Sequence, residues 1–163
     1  MAILAVLAVI SSNLIMASVE TLLDSSVRCQ LHNELSIALD RLVRETRNIE
    51  RDASASGKAP DIDNVTAASL VWTDSDDHAY SVSLSGSDLT LAADGGTAAI
   101  LLSDVDSLAI ETYDRGNAAL AATLSGESCD AIRRVRITVT MTRQGVTESL
   151  SAYTFIRSML SGA

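Results

Sequence analysis

Between Met1 and Asp52 the chain holds neither a glycine nor a proline, and this unbroken run governs what the rest of the molecule can become. Its first nineteen residues, MAILAVLAVISSNLIMASV, carry no charge, whereas from Glu20 onward Arg, Glu and Asp are spread along it. In the second half Leu31, Leu35, Ala38, Leu42 and Ile49 recur at spacings of three, four and seven. That periodicity places them on one face of a helix. Glu34, Asp40, Arg41, Arg44, Arg47 and Glu50 fall on the other faces. A helix through residue 52 is a rod of roughly 78 Å at about 1.5 Å per residue. A rod that is apolar at one end and amphipathic at the other suits an anchor carrying a head.

The apolar end admits three readings. Nineteen uncharged residues are about enough to span a bilayer. The segment lacks the basic start of a signal peptide, its first basic residue being Arg28, although Ile15-Met16-Ala17 before Ser18 passes loosely as a cleavage site. Ser11, Ser12 and Asn13 are polar for a lipid-facing helix and call for partner helices or back-bonding to carbonyls. The segment therefore predicts a helix that both anchors and packs. A signal-anchored binding domain that stays monomeric is the alternative, and a secreted domain shorn of residues 1–17 is the third.

Behind the rod the sequence divides into a linker at 53–66 and a head at 67–163. The stretch DASASGKAPDIDN, residues 52–64, contains Gly57 and Pro60, the only proline in the chain, and marks the boundary. About 110 residues then remain for one small domain. The hydrophobic period changes from helical to two. Ala68, Leu70 and Trp72 alternate with polar or smaller neighbours, as do Tyr80, Val82 and Leu84. Turns are expected at residues 74–77, 86–88 and 94–96. Leu89, Leu91, residues 100–102 and residues 108–113 are further short strands. The clearest strand is RVRITVTMT at 134–142, where Val135, Ile137, Val139 and Met141 face one way and Arg134, Arg136, Thr138 and Thr140 the other. Arg143-Gln144-Gly145 turns it back into residues 146–157. The expected class is α+β, a long helix covering the apolar face of an antiparallel sheet. Leu31, Leu35, Leu42 and Ile49 are the expected packing stripe.

The formal charge of −9 is unevenly distributed. Residues 59–132 hold one Arg against thirteen acids, and residues 133–157 hold five Arg against one acid. An acidic middle beside a basic end favours pairing within or between subunits. It argues against a general nucleic-acid role, which needs a broad basic face. Two cysteines occur, Cys29 on the rod and Cys129 in a late loop. They are either unrelated thiols or, with an extracytoplasmic head, a disulfide. Such a bridge would close a loop of about a hundred residues, worth up to ~4–5 kcal/mol. Their separation is not a zinc pattern.

The residue patterns of catalysis are missing. His32 lies on the charged half of the rod. His78 follows Asp74, Asp76 and Asp77, but the segment lacks the Gly and distal Glu of a calcium loop. No nucleophile elbow, phosphate-binding glycine loop, HExxH or CxxC is written in the chain. The expectation is a protein without catalytic, metal or cofactor sites.

Taken together these segments resemble the type IV pilin and pseudopilin superfamily. Residues 1–8, MAILAVLA, resemble the middle of its N-terminal helix. Residues 39–47, LDRLVRETR, resemble the helix of minor pilins and of J-type minor pseudopilins of type II secretion. Residues 133–140, RRVRITVT, and residues 149–159 resemble their closing strands. The family's basic leader, methylated aromatic residue and fifth-position Glu have no counterpart here, so Met1 falls where members are already inside the mature helix. The resemblance implies a non-catalytic filament subunit with other pilins or pseudopilins as partners. It would sit in the bacterial inner membrane by a single pass before assembly, with its head periplasmic and open to a secreted substrate. Ala2, Ala5, Ala8, Ser12 and Asn13 would then allow close helix contacts in the filament.

Overall fold

The computed structural model describes the backbone of residues 2–55 and 58–159, and the side chains of residues 14–55 and 58–159. It is an α+β structure, with a long N-terminal helix packed on antiparallel β-sheets. Helix α1 spans Ala2–Arg47. Val27, Leu31, Leu35, Ala38, Leu39, Leu42 and Thr46 are buried along one side of it, at the three- and four-residue spacings that make a single stripe.

The helix ends earlier than residue 52, and no helix breaker ends it. Tertiary pairing does. Ile49 bridges Asp74 and Arg51 bridges Pro60. The Glu50 amide donates to the Thr73 carbonyl and the Asp52 amide to the Ala59 carbonyl. Backbone groups that would have extended the helix are spent on sheet-like bonds instead. Ile49 is thus buried as expected, but from an extended segment and not from the helix.

Two sheets stand where one was expected. The larger is built from β1 (Ile62–Thr66), β2 (Ser69–Thr73), β3 (Ala79–Ser85), β4 (Asp88–Ala93), β5 (Ala99–Leu102) and β7 (Leu124–Ser125), in the order β5-β4-β3-β2-β1-β7. The smaller sheet holds β6 (Val105–Tyr113), β8 (Arg134–Arg143) and β9 (Val146–Phe155), in the order β6-β8-β9. The chain changes sheets through Asp104, whose φ is +61°, a left-handed conformation that Asp tolerates better than most residues. The Ile110 amide donates to the Ala67 carbonyl and the Val105 amide to the Ser87 carbonyl, which ties β6 to the larger sheet.

β1 lies inside the stretch read as linker. Its buried residues, Ile62 and Val65, are three apart, because the register shifts between Ile62 and Asn64. A bulge of this kind hides the period of two. The β8–β9 hairpin follows the expected pattern. Gln144 and Gly145 have φ of 53° and 81°, the two positive values of a type I′ turn, whose twist suits tight hairpins. Register then runs unbroken from Arg143↔Val146 to Arg134↔Phe155.

The helix lies on the inward face of β8 and β9 and reaches β5. Val135, Ile137, Val139 and Met141 of β8 are buried beneath it. The same continuous core takes in Leu70, Trp72, Val82, Leu89 and Leu91 of the larger sheet. Trp72 stacks on Tyr80 with ring centroids 5.7 Å apart. The arrangement has a pilin-like topology.

Candidate interaction surfaces

Every side chain from Leu14 to Ser26 is exposed. Leu14, Ile15, Met16, Leu22 and Leu23 are each between 59% and 70% accessible. The helix therefore runs past the head as a bare stalk, mostly apolar over residues 14–19 and at Leu22 and Leu23 but carrying Glu20 and Asp24, and exposed apolar surface of this kind marks an interaction site. Two of its hydroxyls turn inward: Ser18 donates to the Leu14 carbonyl and Thr21 to the Ala17 carbonyl, both at 2.8 Å. Back-bonding of this type hides a polar group from an apolar neighbour. Among the described residues no helix is long and apolar enough to cross a membrane. The side chains of Ala2, Ala5, Ala8, Ser12 and Asn13, the expected membrane and assembly contacts, lie outside the described residues.

From Val27 to its end, α1 is fastened to the head by polar as well as apolar groups. Leu31, Leu35 and Leu42 are fully buried. Thr46 donates its hydroxyl to the Leu42 carbonyl at 2.8 Å, which leaves its oxygen free to accept from the Thr154 hydroxyl of β9 at 3.2 Å, so a buried polar side chain is satisfied across the seam. The Arg143 guanidinium grips Glu34 with two bonds of 2.9 Å. This clamp holds the Glu34 carboxyl below its ordinary range, chiefly through the hydrogen bonds, which outweigh the opposing effect of burial, with the Arg143 charge adding a smaller push in the same direction. Asp104 stands 3.8 Å from the same guanidinium.

The face of the smaller sheet turned away from α1 is organised in rows by its register. Tyr113, Arg134 and Phe155 form one row, and Glu111, Arg136 and Tyr153 the next. The remaining rows carry Ala109, Ser107 and the hydroxyl pairs Thr138–Ser151, Thr140–Ser149 and Thr142–Thr147. The Arg134 guanidinium carbon sits 5.1 Å from the Tyr113 ring centre, 5.7 Å from that of Tyr153 and 5.1 Å from that of Phe155. Cation–π contacts of this length hold an arginine in place. Tyr153 and Phe155 remain 52% and 53% exposed. Arg136 pairs with Glu111 at 3.0 Å, and Glu111 also accepts from the Tyr113 hydroxyl. Three of the five aromatic side chains in the protein gather on this face. The alternation of residues 134–142 places the arginines outward. Their aromatic partners are found only once the register with β6 and β9 is known.

At the end of the head near residue 52, a cavity of about 680 Å³ is lined by Asp52, Asp61, Asp63, Glu127 and Asp130 among others. Burial, aided by Asp52 and Asp63, raises the Asp61 carboxyl above the ordinary aspartate range. Among the described residues no group of three or more His, Cys, Asp or Glu is placed to hold a metal ion. His78 instead faces Asp94, with Nδ1 2.8 Å from Oδ2, and His32 lies 3.4 Å from Glu148.

The disulfide reading is corrected. Cys29 is a free, exposed thiol on α1, and Cys129 is a free, buried thiol in the short 3-10 helix Gly126–Ala131. The reason is axial distance. Cys129 is joined through the Ile132 amide to Arg133, and Arg133 through the Ile156 amide to the end of β9, where Thr154 meets Thr46. Cys29 precedes Thr46 by seventeen residues on the same helix, about 25 Å along its axis. A bridge needs Cα atoms within about 7 Å.

No family model matches the chain, and no curated protein matches it in sequence.

Proposed function

We propose that the chain is a non-catalytic structural subunit of a pilus-like filament, of the minor pilin or minor pseudopilin type. One observation carries the reading: the helix that the head covers from Val27 onward continues as a stalk whose apolar side chains nothing covers. A stalk of this kind favours lipid before assembly and neighbouring helices afterwards, since both bury the same surface. Small residues such as Ala2, Ala5, Ala8 and Ser12 suit close helix approach within such a bundle. The reading places the chain in the bacterial inner membrane with an extracytoplasmic head. Its partners are other pilins or pseudopilins, with a secreted substrate at the head. It assigns no catalytic, metal or cofactor site and no general nucleic-acid role.

The test replaces Ser12 and Asn13 with Leu in a chain expressed behind a pilin leader. Membrane localisation should persist, because apolar substitution favours insertion. Incorporation into filaments, and crosslinks from a photoreactive residue at Leu22 to partner pilins, should fall. Leu variants that assemble as well as the parent, or a parent that crosslinks to no pilin, would transfer the chain to the class of membrane-anchored binding domains. Sequencing the mature N-terminus separates both from a secreted domain lacking its first seventeen residues.

A further inference from the structure

We propose that the outer face of β6, β8 and β9, centred on Arg134, receives the β2–β3 hairpin tip of a second copy of this chain. The inference deepens the filament-subunit reading by naming one contact between neighbouring heads.

Arg134 carries the argument. Three rings fix its guanidinium, yet among the described residues no carboxylate pairs with it, whereas Arg136 has Glu111 and Arg143 has Glu34. A rigid cation without a counterion, flanked by half-exposed Tyr153 and Phe155, has the composition of an interface hot spot. The partner must supply a carboxylate. Among the described residues of the head, two clusters of acids are the candidates. The cavity beside Asp61 is concave and cannot seat on a flat sheet. The hairpin tip is convex. There the Asp76 amide donates to Asp74 Oδ1 and the Asp77 amide to the Asp74 carbonyl. That turn presents the Asp76 and Asp77 side chains outward, exposed and without an ion pair among the described residues. Face and tip are different surfaces, so their contact is heterologous, the kind that propagates along a filament when it does not close a ring. A polyanion such as single-stranded DNA would also meet aromatic rings and arginine here. Glu111 within the face and the −9 charge of the whole chain oppose it.

The experiment uses the full chain in detergent and reads self-association by sedimentation velocity. Arg134→Glu reverses the face, and Asp76→Arg with Asp77→Asn reverses the tip. Each variant alone should associate about tenfold more weakly than the parent, or worse, as for other interfacial charge pairs. An equimolar mixture of the two should recover association, because the intact tip of the Arg134→Glu chain meets the intact face of the tip variant and the acidic face meets the basic tip. Emission from the buried Trp72 and a circular dichroism melt check that each remains folded. The tip variant, altered only at exposed residues, stands alone should Arg134→Glu unfold. Variants that associate like the parent, a mixture that does not recover, or a parent that stays monomeric would each overturn the contact. The filament reading would survive all three if Leu22 still crosslinks to pilins. Binding of an oligo-dT strand that Arg134→Glu abolishes would overturn the proposal in favour of a nucleic-acid face.

Discussion

Glu34 and Arg143 are separated by more than a hundred residues of sequence, and their pairing pins the helix to the β8–β9 hairpin. The linkage has a definite sign. The folded-state pKa of Glu34 lies below its ordinary value of 4.5, so the pair contributes its full stability above that value. The contribution is lost as pH falls through the depressed folded value. Side-chain exposures of 40% and 31% keep the contribution small, at the upper end of exposed ion pairs and about 1 kcal/mol. Glu34→Gln should therefore lower the urea midpoint at pH 7 and leave it nearly unchanged at pH 2. An equal effect at both values would assign Glu34 a packing role. The thiols make a second residue-scale prediction. Exposed Cys29 should react with a thiol reagent in the native state. Cys129 should react only on unfolding, since burial shields it and raises its pKa, which leaves less thiolate to attack. A native protein with no titratable thiol would restore the bridge. At this scale the sequence shows which residues are charged or nucleophilic. It does not show which ones meet, because Arg134 finds Tyr113 and Phe155, and Glu34 finds Arg143, through register alone.

Among the elements, the pattern of three and four in α1 and of two in β8 and β9 was legible because each buries one face against a single partner. Leu42 lies at the centre of that contact, fully buried. Leu42→Ala should cost about 2–5 kcal/mol, the range for a leucine removed from a close-packed core. A shift of the denaturant midpoint without a change in slope would show the loss is one of stability alone. An unchanged midpoint would mean the helix is not packed on the sheet in solution. What was not legible has physical causes that can be named. The end of α1 is set by Thr73 and Ala59, which take up the Glu50 and Asp52 amides, and no local residue signals that competition. β1 is masked by its bulge and by Asp61, Asp63 and Asn64, whose polarity resembles a linker. The division into two sheets depends on the Asp104 corner, and a left-handed Asp between two short apolar runs reads equally well as an ordinary hairpin turn.

The whole molecule joins two parts that need each other differently. The head needs α1 from Val27 onward, because Leu31, Leu35 and Leu42 belong to its core. It gains no burial from residues 14–26, every one of which is exposed. Removing residues 1–24 should therefore leave the unfolding midpoint within about 2 °C of the full chain, since little buried area is lost. The same deletion removes Leu14, Ile15, Met16, Val19, Leu22 and Leu23, the bulk of the exposed aliphatic surface. The truncated protein should remain in solution without detergent and no longer float with lipid vesicles, whereas the full chain should float. Circular dichroism melts and vesicle flotation read the two properties separately, and that separation is informative. A deletion that melts early would mean the stalk folds back on the head. One that melts normally but still binds vesicles would place the lipid contact on the head itself. If stability is kept and flotation lost, anchoring resides in the stalk, and the head is left free to present its arginine face and acidic hairpin to neighbours.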